Sequence, residues 1–387
     1  MMKKKILFII SNLQTGGVSK AMTSLLNVID RERYDVSLMA VSASGPFMEL
    51  LPKDLRIITN PVWTDVTSGF KGTLDLIKKG QILLASGTLL RFLSSRLSKS
   101  LSGILMAKMM PPVSEEFDTI VDFNGQQQCY YMVDKLKARK KVTFFHSDYS
   151  KWPYYYSADK KYYPKVDRIF TISEECVLSL QKYFPEQKSK IALMQNISSA
   201  KLIDEMSKQP CGDFAEGLAF VTIGHVIKSK GFDLAVEAAK ILKERDVKFH
   251  WYFIGAVFDK DFTQSLINKN RVGDCIELMG IKVNPYPYMS QADLIVHPSR
   301  FEGKSIALDE AKLLCKPIVV TNFSTVRDQF TDRHNASICE MKPESIADAI
   351  QELLENESLR RKYSANLLSE RKDNSDEIEK LYEIFDD

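Results

Sequence analysis

The chain has 387 residues, of which 44% are hydrophobic and 27% charged, and its formal net charge is +3 at pH 7. That length suits two domains of about 180 to 200 residues, and the composition is that of a soluble globular protein. So small a net charge makes no case for a nucleic-acid partner. The six cysteines (Cys129, Cys176, Cys211, Cys275, Cys315 and Cys339) include no C-x-x-C pair. They argue against a zinc site or a disulfide framework and for a reducing cytoplasm.

In chain order, Lys3 to Lys5 followed by Ile6-Leu-Phe-Ile-Ile10 superficially resembles a signal peptide. The apolar run is too short and ends in Ser11-Asn12 with no small-residue cleavage site, so it is expected to be a first buried parallel strand. No uninterrupted apolar stretch reaches the roughly 18 residues that crossing a membrane requires. Further strands are expected at 36–40, 56–59, 119–123, 141–146, 168–172 and 191–195, then at 219–223, 248–255, 276–279, 294–297, 317–321 and 336–338. Helix-like runs separate them, which predicts an α/β protein with parallel sheets covered by helices. The polar stretch 207–213 is a candidate linker, and from 343 onward the pattern is a charged amphipathic helix. Two Rossmann-like lobes facing a central cleft follow, with ligands beyond the carboxyl ends of the strands.

Residues 71–110 break the alternation. They carry seven Lys or Arg (71, 78, 79, 91, 96, 99 and 108) against one acid, Asp75, together with many leucines. Such a stretch is either a basic amphipathic face for an anionic membrane or a helical insertion whose leucines pack on the first lobe.

Several turns hold residues suited to a ligand. Gly16-Gly17 ends the first strand and lets backbone approach a phosphate, although it is not a G-x-G-x-x-G fingerprint and a plain turn would look the same. His146 stands at the carboxyl end of a buried strand. Ser173-Glu174 is either a site pair or a helix N-cap. In the second half, Gly224 and His225 follow a strand, and Lys230-Gly231 precede a helix, the setting of a phosphate site. Asp259-Lys-Asp261 is the one Asp-x-Asp sequence, and it reads as a solvated loop.

The most informative stretch is Phe301-Glu-Gly-Lys-Ser-Ile-Ala-Leu-Asp-Glu310, between an expected strand and an expected helix. Gly303, Lys304, Ser305 and Ile306 fall where the helix begins, and its free N–H groups favour an anion. Glu302 and Glu310 flank that point. Carboxylates suit hydroxyls, so the implied ligand carries both a diphosphate and sugar hydroxyls.

With this spacing the chain resembles the retaining glycosyltransferases of family 4, which have the GT-B fold and a Glu-x7-Glu motif. The resemblance covers nearly the whole chain and is specific mainly at 222–231 and 293–322. It implies an acceptor-binding lobe at 1–205, a nucleotide-sugar lobe at 206–370, and a last helix at 371–387 that crosses back to the first lobe. It implies that Glu310 holds ribose hydroxyls, that Glu302 and His146 lie near the transferred sugar, and that Gly303 to Ile306 line the diphosphate. Gly16 and Gly17 would lie near the donor phosphates, and Asn196 occupies the usual Asn position. Lys230 keeps the family's lysine, but His225 stands where Arg is usual, and a neutral imidazole is a weaker phosphate clamp. Lys304 replaces a residue that is commonly apolar; it supplies the missing charge or points to solvent. The expected activity is metal-independent and retaining, with Lys230 and amides stabilising the departing diphosphate. No cofactor is expected. The donor would be a nucleotide sugar, most commonly a UDP-sugar, and the acceptor a glycan or lipid-linked glycan in cell-surface polysaccharide assembly such as capsule. The expected place is the cytoplasm, or the inner face of the membrane as a peripheral protein. The alternative is a non-catalytic nucleotide-sugar binder or scaffold of the same fold.

Overall fold

The computed structural model describes every residue except Met1, Met2, Thr15, Asp213 and Glu216. Contacts divide the chain into two compact units. The first takes residues up to Gln14, Val18–Ile197 and Asp376–Asp387; the second takes Ser198–Ser375 together with Gly16 and Gly17. The polar stretch 207–213 lies within the second unit, between a helix at Ala200–Ser207 and the first strand of its sheet. Asp213 itself is outside the described residues.

The first sheet holds β1 (Lys4–Ile10), β2 (Tyr34–Ala40), β3 (Arg56–Ile58), β4 (Glu116–Asp122), β5 (Lys137–Phe145), β6 (Arg168–Thr171) and β7 (Ile191–Leu193), in the order β3-β2-β1-β4-β5-β6-β7. The second holds β8 (Leu218–Ile223), β9 (Phe249–Ile254), β10 (Ile276–Gly280), β11 (Leu294–His297), β12 (Ile318–Thr321) and β13 (Ser337–Cys339), in the order β10-β9-β8-β11-β12-β13. Every pairing is parallel. Helices cover both faces, so central strands are continuous apolar runs; Ile6 to Ile9 are wholly buried. β4 and β5 begin earlier than their apolar runs, because Glu116 pairs with Lys137 across the exposed edge, with Nζ and Oε1 2.8 Å apart.

In each sheet the chain winds outward from a central strand and then restarts on that strand's other side. The switch points lie between β1 and β4 and between β8 and β11. Ligands of open α/β sheets bind at the carboxyl ends of such strands.

The final helix, Glu379–Asp386, packs on the first unit. Tyr382 stacks on Tyr34 with ring centroids 5.2 Å apart, and Phe385 meets Phe8 edge-on at 6.4 Å. The Asp30 amide donates to the Tyr382 hydroxyl at 2.7 Å.

The basic, leucine-rich stretch forms three helices, Gly69–Lys78, Ile82–Ser94 and Lys99–Met109. One face packs: Leu76, Ala85, Met106 and Ala107 join the core. The other does not, and Leu83 and Leu97 are 88% and 91% exposed. Arg91 leaves the basic face altogether. It is buried and donates to the Thr67 carbonyl at 3.1 Å.

Candidate functional site

The second unit builds its site from two turns at the switch point. β8 ends at Ile223 and is followed by Gly224, whose φ of +151° lies where side chains are strained. A Cβ on Gly255, just past β9, would sit 1.9 Å from the Gly224 carbonyl oxygen, so this approach needs glycine. The turn Lys228–Lys230 closes on Gly231, at φ +72°, where a Cβ would lie 1.8 Å from the Pro298 carbonyl oxygen. Glycine thus lets the turn after β8 press against the loop after β11. Arg300 locks the two together with a forked pair to Asp233, at 2.6 and 2.9 Å, while its amide donates to the Ser229 carbonyl at 3.0 Å.

This packing joins three side chains. Lys230 Nζ donates to both carboxylate oxygens of Glu302, at 2.7 and 2.6 Å. His297 Nε2 lies 2.9 Å from Glu302 Oε1. Burial by itself would raise the Glu302 carboxyl, but the hydrogen bond from His297 and the charge of Lys230 outweigh it and hold the group at about 2. Glu302 is therefore ionised and can only accept, so His297 Nε2 carries the proton. His225 is half-buried with its ring edge-on to Phe258, centroids 5.0 Å apart. Burial and then the nearby Lys230 push its imidazole below the ordinary histidine value, which leaves it neutral at pH 7.

The helix Ile306–Leu313 carries the second glutamate. Glu310 is buried and accepts from the Tyr286 hydroxyl at 2.7 Å. Ser305 stands at the N-cap, and its amide donates to Gln329 Oε1 at 3.1 Å while its carbonyl accepts from Gln329 Nε2 at 2.9 Å. Gln329 thus already occupies one of the amides expected to line a diphosphate. Lys304 does not point to solvent: its side chain is buried, with Nζ 3.5 Å from Asp309 Oδ2. Gly303 and Ile306 are buried beside it, and Thr325 Oγ1 donates to the Glu302 carbonyl at 3.1 Å.

Of the remaining expected residues, Gly16 and Gly17 lie beside this cluster: a Cβ on Gly16 would meet the His225 ring at 3.7 Å, and one on Gly17 would meet Ile306 Cδ1 at 3.4 Å. His146 follows β5 in the first unit, both ring nitrogens shielded from water and neither completing a hydrogen bond of ordinary geometry. Burial lowers it to about 4, against smaller opposing effects of the Phe123 backbone and the Asn196 side chain. Gly16 takes φ +93°, and Gly17 opens the helix Gly17–Val28. Ser173 is a helix N-cap whose Oγ accepts from the Cys176 amide at 3.2 Å. Asp259 likewise caps Lys260–Asn270 by accepting from Phe262 at 2.9 Å.

Sequence reasoning missed His297, Tyr286, Arg300 and Gln329. For His297 a signal was present, since it ends a strand beside the switch point as His146 ends β5. Nothing local marks Tyr286 or Gln329, which reach the site from 24 residues away in the chain.

Residues 208–368 match the family model described as Glycosyl transferases group 1. The uncharacterized glycosyltransferase MJ1059 of Methanocaldococcus jannaschii is 24% identical over 173 residues, 43% of each chain. The N-acetylgalactosamine-N,N'-diacetylbacillosaminyl-diphospho-undecaprenol 4-alpha-N-acetylgalactosaminyltransferase of Campylobacter jejuni is 27% identical over 204 residues, 52% of this chain and 54% of that one. The chain thus spans about half the length of these curated relatives. Among solved structures, Anabaena Alr3699/HepE in complex with UDP and glucose superposes with a TM-score of 0.69 at 14% identity, covering 98% of both chains. The chain therefore has the GT-B fold of two parallel-sheet Rossmann-like domains, and its residues 208–368 match the glycosyl transferases group 1 family.

Proposed function

We propose that the protein is a retaining glycosyltransferase that moves a sugar from a nucleotide-sugar donor to a glycan or lipid-linked glycan in cell-surface polysaccharide assembly. The observation that carries this reading is the Lys230–Glu302–His297 cluster at the switch point of the second sheet. A cation and a carboxylate side by side suit a ligand with both diphosphate and hydroxyls. Support for a uridine diphosphate donor comes from HepE, solved with UDP and glucose, and for a lipid-linked acceptor from the C. jejuni relative, named for a diphospho-undecaprenol substrate.

In the proposed reaction the bond between the sugar C1 and the diphosphate oxygen breaks, and the acceptor oxygen bonds C1 on the same face. The acceptor proton passes to the leaving phosphate oxygen, so no enzymic nucleophile is needed. Lys230 stabilises the charge that develops on the leaving group, which is positioning and electrostatics rather than metal chemistry. Glu302 fixes sugar hydroxyls and opposes positive charge at C1. Glu310 holds the ribose, with Tyr286 orienting it, and His146 hydrogen-bonds the sugar as the family resemblance implies. The helices within 71–110 rest on an anionic membrane at the cytoplasmic face, where their exposed leucines meet lipid.

A second reading is favoured by one observation. The neutral His225, in place of a permanent cation, fits a nucleotide-sugar sensor or scaffold. Incubation with UDP-, GDP- and ADP-sugars plus cell-envelope extract, in EDTA, separates the two. Release of nucleoside diphosphate with product of the donor's anomeric configuration by NMR supports the transferase. Binding without release under every condition supports the sensor.

A further inference from the structure

We infer that His297 is a positioning residue that sets how readily Lys230 leaves Glu302 for an arriving diphosphate. This deepens the donor-site reading above and rests on it. The Lys230 ammonium lies within 2.7 Å of both Glu302 oxygens, so its charge is neutralised by the carboxylate. A diphosphate at the turn after β8 competes with Glu302 for that ammonium. Glu302 is only 8% exposed, and a buried carboxylate cannot be left unpaired without a large cost. It therefore releases Lys230 only if another donor remains.

His297 is built to be that donor. It ends β11, is itself buried, and its backbone is tied into the sheet, where Thr321 Oγ1 donates to the His297 carbonyl at 3.3 Å. Its ring meets Phe323 edge-on, centroids 6.1 Å apart. Lys230, by contrast, is a long, partly exposed side chain on a single helical turn. When a diphosphate draws Lys230 away, the rigid partner stays and the mobile one moves. His297 touches no ligand in this scheme; it acts through Glu302 and Lys230.

The test is calorimetric binding of UDP, GDP and ADP to the full chain, continued with whichever binds most tightly, for His297→Leu, His297→Gln, Glu302→Gln and the double variant His297→Leu/Glu302→Gln. His297→Leu should weaken binding about tenfold, and His297→Gln, which keeps an N–H donor, should recover to within about threefold. With Glu302→Gln the competitor for Lys230 is neutralised, so adding His297→Leu should change affinity by less than about twofold. A merely structural role would give the same loss in both backgrounds, and that result, or no loss in either, overturns the inference. If the unaltered protein binds none of the three nucleotides, the donor-site reading itself fails and this inference falls with it.

Discussion

Lys230 and Glu302 are 72 residues apart in the chain, yet two glycine turns press them into one ion pair. The pairing has a pH signature. The folded-state carboxyl of Glu302 is held at about 2, against an ordinary 4.5, so its contribution to stability is complete above about 4.5 and is lost as pH falls toward 2. Glu302→Gln should therefore flatten the acid limb of the stability curve between those values, measured as melting temperature against pH; an unchanged acid limb would mean the pair contributes nothing. At this scale the sequence was legible where a residue's neighbours in the chain define its role. Glu302 and Lys230 were visible beside their glycines. The buried direction of Lys304 was not, because it depends on Asp309 reaching back from the first turn of the following helix. Arg91 counted as a surface cation for the same reason: only packing shows that it reaches the Thr67 carbonyl.

Elements were more legible than their edges. Strands such as β1 and β12 announced themselves as apolar runs because both faces are covered. β5 extends to Lys137 through alternating, partly exposed residues that a search for apolar runs cannot see. The turns are where single substitutions should cost most. Gly231→Ala would place a methyl group 1.8 Å from the Pro298 carbonyl and force φ +72° on an alanine. It should cost on the order of 1–3 kcal/mol and separate Lys230 from Glu302, lowering turnover along with stability. A variant with wild-type melting and activity would show that the turn does not need its glycine. In the first unit, three elements meet at Asp159, which accepts from the hydroxyls of Tyr130 and Tyr149, each at 2.6 Å. Burial outweighs these bonds and raises Asp159 to about 7, so its favourable contribution is complete below 3.8 and is lost as pH rises through about 7. Asp122, also buried and raised to about 7, acts in the same direction. Calorimetric melting of Asp159→Asn should accordingly depend less on pH between 4 and 8 than that of the unaltered protein, though not become independent of it.

For the whole molecule, the order of strands and helices made the two-sheet architecture readable, since a regular βα alternation leaves few topologies open. What that alternation could not say was which face of the three helices between Gly69 and Met109 is left uncovered. The answer combines the exposed Leu83, Leu90, Leu93 and Leu97 with Lys71, Lys78, Arg96 and Lys99. Membrane contact by such a face is worth about 1 kcal/mol per cation near an anionic surface and is screened by salt. Co-sedimentation with anionic vesicles should fall as salt rises from about 0.05 to about 0.5 M, and a Leu83→Ser/Leu97→Ser double variant should weaken what remains. Equal binding to neutral and anionic vesicles, or none at low salt, would remove the membrane from the account.

The central claim is that the second-unit cluster turns over a nucleotide sugar. Its most direct test is release of nucleoside diphosphate in EDTA by the unaltered protein, Glu302→Gln and Lys230→Ala, using the donor that the unaltered protein prefers. The account predicts release that EDTA does not slow and that both substitutions reduce at least about a hundredfold. Release that survives both substitutions, or that requires a divalent cation, would contradict it.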